Sequence, residues 1–189
     1  MARPTAADLE AARGRTTPDL LGPGVRLLFV GINPSLWTAA VGAHFARPGN
    51  RFWPALHEAG LTDHLVDPAS GMAPADVAHV IARGIGITNL VGRATARADE
   101  LSATELRAGA RRLRQLVAEH PPRVVAVAGI TAYRSAFGVR NAQAGRQTSG
   151  IGDAELWVVP NPSGLNAHES IASLAETYRE VGRAAGVLP

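Results

Sequence analysis

Val25-Arg26-Leu27-Leu28-Phe29-Val30-Gly31 runs straight into Ile32-Asn33-Pro34-Ser35. The first seven residues are a short apolar run closed by glycine. They read as a strand of a parallel sheet buried on both faces. Downstream, residues 50–60 (NRFWPALHEAG) are expected to form a helix, with Asn50 as its cap and Gly60 as its stop. A short helix over 74–82 and a second strand over 85–91 (IGITNLV) follow. Ser102-x-x-Glu105 is a capping box opening a helix to about Glu119, with Leu106, Leu113, Leu116 and Val117 on one face. Pro121-Pro122 ends it. A third strand is expected at 123–129, a helix at 130–137 and a fourth strand at 155–160. A last helix spans about 170–185, with Ile171, Leu174, Tyr178 and Val181 on one stripe. Strands alternating with helices predict an α/β three-layer sandwich around a mostly parallel four-stranded sheet. It forms one domain over 21–189, preceded by a loose or helical arm at 1–20.

Composition narrows the chemistry. The chain has 189 residues, 46% hydrophobic and 19% charged, which suits one globular domain with a sizeable core. No apolar run approaches the roughly 20 residues of a membrane span, and the first 18 residues lack the apolar stretch of a signal peptide. A cytoplasmic protein without a membrane partner is expected. There is no cysteine, so disulfides, iron–sulfur clusters and thiol nucleophiles are excluded. The six histidines show no metal-binding spacing, and no metal or cofactor is expected. Neither G-x-G-x-x-G after the first strand nor a phosphate-loop sequence is present, which speaks against a nucleotide cofactor. All 19 basic residues are arginine, for a net charge of +3. GC-rich coding and phosphate binding both account for that.

In an open parallel sheet, ligands collect beyond the carboxyl ends of the strands, so the loops after Gly31, Val91, Gly129 and Pro160 matter most. Gly31 allows close backbone approach, Asn33 offers both a donor and an acceptor, and Pro34 disfavours helix through Asn33. Asn161-Pro162-Ser163-Gly164-Leu165-Asn166 leaves the fourth strand. Taken singly, the first loop reads first as a plain Asn-Pro turn. The second, taken singly, reads first as a turn with Leu165 tucked into the core.

Between these loops lies His44-Phe45-Ala46-Arg47-Pro48-Gly49-Asn50-Arg51-Phe52-Trp53. With GINPS at 31–35, TNLV at 88–91 and NPSGL at 161–165 in this order and spacing, the chain resembles the mismatch-specific uracil/thymine DNA glycosylases. They form a family within the uracil-DNA glycosylase superfamily. The resemblance runs from about Gly22 to Arg183. It implies a uracil-DNA glycosylase-like fold and the following roles. Asn33 takes the place of the residue that positions the attacking water, and Asn161 that of a donor near the pyrimidine O2. Phe45 matches the aromatic on which the flipped base stacks; its other reading is a core aromatic. Gly31 and backbone groups around Ile32 and Phe45 would contact the base. Leu165 matches an apolar wedge, with Ser163, Gly164 and Asn166 beside it on DNA.

Three residues depart from the family pattern. Ala167 replaces an arginine thought to contact the opposite guanine. Trp37-Thr38 replaces smaller residues, so that Thr38 would crowd a thymine methyl. Asn89 replaces a lysine and adds an amide near the base. Asp99, beside Glu100 in the stretch 92–100 (GRATARADE), is a secondary catalytic candidate; it also reads as a solvated loop residue. The chain has no lysine to form a Schiff base. The expectation is therefore a monofunctional, monomeric glycosylase of the bacterial nucleoid. It would remove uracil, other damaged pyrimidines and weakly thymine from mispaired double-stranded DNA. The alternative is a non-catalytic binder of damaged or abasic DNA with the same fold.

Overall fold

The computed structural model describes residues 3–189; Met1 and Ala2 of the expected arm lie outside the described residues. β1 (Leu27–Gly31) is an interior strand of the sheet. It pairs in parallel with β2 (Ile85–Asn89) on one side and with β3 (Val124–Ala128) on the other. β3 pairs in parallel with β5 (Glu155–Val159). These are the four expected strands. A fifth corrects the count: β4 (Gly145–Arg146) lies antiparallel on the outer edge of β5. Two residues carry no readable alternation, which is why pattern missed it. So short an edge strand also leaves little for another chain to pair with.

Successive strand residues point to opposite faces, and each face finds its own helices. Leu27, Phe29, Ile85, Ile87, Val124 and Ala126 pack with Phe52 and Leu56 of α3 (Phe52–Glu58) and Leu174 and Tyr178 of α7 (Ile171–Ala184). Leu28, Val30, Val125, Val127, Leu156 and Val158 pack with Leu106 and Leu113 of α5 (Ala103–Glu119) and with Tyr133 of α6 (Ile130–Phe137). Three layers result. α4 (Pro74–Ala82) leads into β2.

Two local readings shift. α3 starts at Phe52 rather than 50, because Asn50 caps from one residue outside: its Oδ1 accepts from the Phe52 N–H at 2.9 Å. α2 (Leu36–Val41) was not expected after Asn-Pro. Proline disfavours helix in the residue before it but is tolerated ahead of a helix start. Ser35 then caps the new helix, its Oγ accepting from the Thr38 N–H at 3.1 Å.

Residues 5–20 are tied to the rest of the domain. Thr5 and Asp8 form a capping box on α1 (Ala6–Ala11), and Ala12 is buried with Ala39 and Ala94. Leu20 exchanges two backbone hydrogen bonds with Ile87, covering the outer edge of β2.

Tyr178 lies wholly inside the core, against Phe29 at 5.0 Å and Phe52 at 5.7 Å between ring centroids. Its hydroxyl has no protein partner, and burial pushes its pKa up. A buried hydroxyl without a bond costs about 1–3 kcal/mol. Tyr178→Phe should therefore leave the thermal midpoint unchanged or raise it. A clear fall in a melting experiment would mean that the hydroxyl is bonded.

Candidate active site

The chain leaves β1 for β2 on one side and returns to β3 on the other. The connections therefore diverge at the carboxyl ends of β1 and β3, where open parallel sheets form a crevice. A cleft of about 620 Å3 opens there. It gathers Gly31, Ile32, Asn33, Thr38, Phe45, Asn89, Asp99, Asn161, Ser163, Leu165 and Asn166 from five separate stretches of chain.

Five asparagines line the cleft, and for Asn33, Asn161 and Asn89 the hydrogen bonds behind the side chain decide which amide atom faces it. The Asn33 Nδ2 donates to the Arg93 carbonyl at 2.9 Å and to the Thr95 Oγ1 at 2.7 Å. A carbonyl only accepts, so the amide cannot turn over, and Oδ1 is the free atom. Thr95 in turn donates to the Arg97 carbonyl at 2.7 Å. The Arg93 side chain is anchored on Glu105, whose carboxyl is held down at about 2, first by that guanidinium and then by the Ser102 N–H. Asn161 is set the other way. Its Oδ1 accepts from the Ser163 N–H at 3.1 Å, which leaves Nδ2 free to donate.

Asn89 closes the floor. Its Nδ2 lies 3.4 Å from Nδ1 of His44, and its Oδ1 lies over Gly31. A Cβ on Gly31 would come within 2.5 Å of that oxygen and 3.4 Å of the Phe45 ring. Glycine is required there by space. His44 is 3% exposed, and burial pushes its pKa down, so the ring is neutral.

Phe45 has φ of 53°, in the left-handed region that bulky residues rarely adopt. One face of its ring stacks on Phe52 at 4.0 Å between centroids. Such strain persists where surrounding packing dictates it, commonly at functional sites. The segment after Phe45 braces the loop at 161–166. The Arg51 N–H donates to the Pro162 carbonyl at 2.9 Å, and its guanidinium to the Asn166 carbonyl at 2.8 Å. Gly164 backs onto the Gly49 carbonyl, 2.5 Å from where a Cβ would stand. Leu165 is not tucked into the core: it is 79% exposed at the mouth of the cleft.

Other candidates are placed as follows. Thr38 is buried in the cleft wall, whereas Trp37 turns away and donates to the Ala69 carbonyl at 2.9 Å. Asp99 sits on the exposed rim, paired with Arg97 at 2.6 Å. The Ile32 side chain packs into the core beside Gly129, which leaves its backbone at the cleft. Sequence reading passed over Thr95, Arg97 and His44. Thr95 is six residues past Asn89 but bonds Asn33, and no local spacing signals a contact across 62 residues. Among the described residues, no three His, Cys, Asp or Glu side chains converge on a point where a metal could bind.

Residues 18–182 match the family model of the uracil DNA glycosylase superfamily. The chain belongs to that superfamily. Among solved structures, it is similar to the NMR structure of a candidate uracil DNA glycosylase from Methanosarcina acetivorans. The TM-score is 0.57 at 19% identity, over 89% of this chain and 98% of that one. At that identity the likeness establishes the shared fold. In this superfamily member the cleft, the braced loop and Asn33, Asn89 and Asn161 lie within the matched span.

Proposed function

We propose that the protein is a monofunctional glycosylase that hydrolyses the N-glycosidic bond of uracil flipped out of mispaired duplex DNA, working through Asn33. The observation that carries this reading is the opposed setting of two amides in one cleft. Asn33 presents Oδ1 and Asn161 presents Nδ2. Loss of a base passes through an oxocarbenium-like sugar and a departing pyrimidine anion. Oδ1 of Asn33 accepts a hydrogen bond from a water and aims its lone pair at C1′. Nδ2 of Asn161 donates to the pyrimidine O2 as charge builds there, the kind of preorganised stabilisation that lowers such barriers. An amide is no strong base, so turnover is slow and leaving-group stabilisation supplies much of the rate. No lysine is present to capture the sugar as a Schiff base, and the product is an abasic site.

The base must leave the stack to reach the cleft, and a mispaired uracil does so at lower cost than a paired one. The free face of Phe45 receives it. Thr38 crowds a 5-methyl group, favouring uracil over thymine. Ala167, where the mismatch-specific relatives carry arginine, removes one contact to the opposite guanine. The protein acts as a monomer on one lesion at a time, in the cytoplasm.

The test is a labelled duplex with one U·G pair, incubated with protein and then treated with alkali. Strand cleavage only after alkali is expected. Tight binding without cleavage would replace an enzyme by a lesion-binding protein. Leu165 supplies a separate check. Inserting an apolar wedge offsets an unstacking cost of a few kcal/mol, so Leu165→Ala should slow excision from duplex on the order of tenfold. Single-stranded uracil should be affected far less, and the melting temperature not at all, since the side chain is exposed. Equal losses on both substrates would contradict the wedge.

A further inference from the structure

We propose that His44, held by the Pro18 carbonyl, fixes which way the Asn89 amide faces, and so makes the cleft select a pyrimidine carrying a proton at N3. This deepens the base-excision reading and rests on it. His44 and Asn89 are both buried, at 3% and 6% exposure. The His44 Nε2 lies 2.9 Å from the Pro18 carbonyl, which can only accept. Nε2 therefore carries the hydrogen, and in a neutral ring Nδ1 is left with a lone pair. That lone pair faces Asn89 at 3.4 Å and takes an N–H from Nδ2. The reverse setting would bring the amide oxygen against a second lone pair. Oδ1 is thus turned over Gly31, toward the cleft, and no protein donor among the described residues reaches it.

Both partners are held in place. The His44 carbonyl accepts from the Trp53 indole at 2.9 Å. The Asn89 carbonyl accepts from Arg112, which also reaches Asp19 at 3.4 Å. Asp19 accepts from the Thr88 hydroxyl at 2.6 Å. The dipeptide Pro18-Asp19, outside the sheet, therefore braces the amide from both sides, through His44 and through the end of β2. An acceptor fixed at the cleft floor welcomes the N3–H of uracil. It meets the bare N3 lone pair of cytosine with repulsion. Cytosine, far commoner in DNA than uracil, is excluded by a histidine that need never touch the base. His44 is a positioning residue.

The experiment measures binding apart from cleavage. Two duplexes carry 2′-fluoroarabino-uridine or 2′-fluoroarabino-cytidine opposite a tetrahydrofuran spacer, so that neither base is paired and neither is cut. Wild-type protein should prefer the uridine probe by about tenfold, the value of one good hydrogen bond against its repulsive counterpart. His44→Phe, which keeps the ring and removes both nitrogens, should bring the ratio close to one. His44→Asn, which restores an acceptor near the Nδ1 position, should recover much of it. An unchanged ratio in His44→Phe overturns the proposal. So does an equal loss for both probes that asparagine does not recover. Should His44→Phe fail to fold, the 15N NMR spectrum of the wild type decides: an unprotonated Nδ1 on His44 is required, and a protonated one refutes it. A wild type that prefers the uridine probe yet never releases uracil from a cleavable duplex supports the orientation and counts against the base-excision reading.

Discussion

Asn33→Ala should lower uracil excision about 10²–10³-fold, the range seen when one preorganised polar group is removed from a reacting centre. Binding to uncleavable uracil-containing duplex should change little. The split follows from where the amide is tied. Its NH2 group is spent on Arg93 and Thr95, inside the protein, and only Oδ1 faces the cleft. In the proposed mechanism Oδ1 only holds water and adds nothing to ground-state affinity, so its loss is expected in kcat rather than KM. The substitution also removes these hydrogen bonds and a third to the Pro34 carbonyl at 3.2 Å, a structural cost of about 1–3 kcal/mol. A melting curve separates that cost from catalysis. Full activity in the alanine variant would mean that another group, Asp99 first among them, places the water.

Gly31→Ala should be nearly as damaging for a different reason. A methyl group there would stand 2.5 Å from Oδ1 of Asn89 and 3.4 Å from the Phe45 ring. Neither can retreat freely. Asn89 is buried with its Nδ2 beside His44, and Phe45 is stacked on Phe52. Overpacking of this kind costs about 1–3 kcal/mol of stability. Misplacing groups by about 1 Å can cost roughly 10²-fold in rate. Both kcat/KM and the discrimination between uracil and cytosine should fall together. An alanine variant with normal excision would show that the floor is softer than these contacts indicate.

Much of the architecture was legible in the chain. The four long strands are apolar runs closed by turn residues, and Ser102 with Glu105 announces α5 through bonds that span three residues. Such signals are local, and local physics suffices for them. β4 was invisible because two residues have no period, and α2 because a proline that blocks a helix before it does not block one after. Ile171 looked like part of the α7 stripe. As the first residue of that helix it lies at the end of the packed face and is 37% exposed.

The site divides along the same line. The family resemblance carried by GINPS, FARPGNRFW and NPSGL named Asn33, Phe45, Asn161 and Leu165 as candidates, because each motif is contiguous. Sequence also determined what the cleft lacks: no thiol and no lysine can act there. It could not say which atom of each amide is free. That depends on Arg93 and Thr95 for Asn33, on Ser163 for Asn161, and on Pro18 through His44 for Asn89. Two of those three supports come from distant stretches of chain. An asparagine carries a donor and an acceptor that differ by a half-turn of one bond. Only packed neighbours with a fixed hydrogen-bonding sense choose between them, and that choice belongs to the tertiary structure.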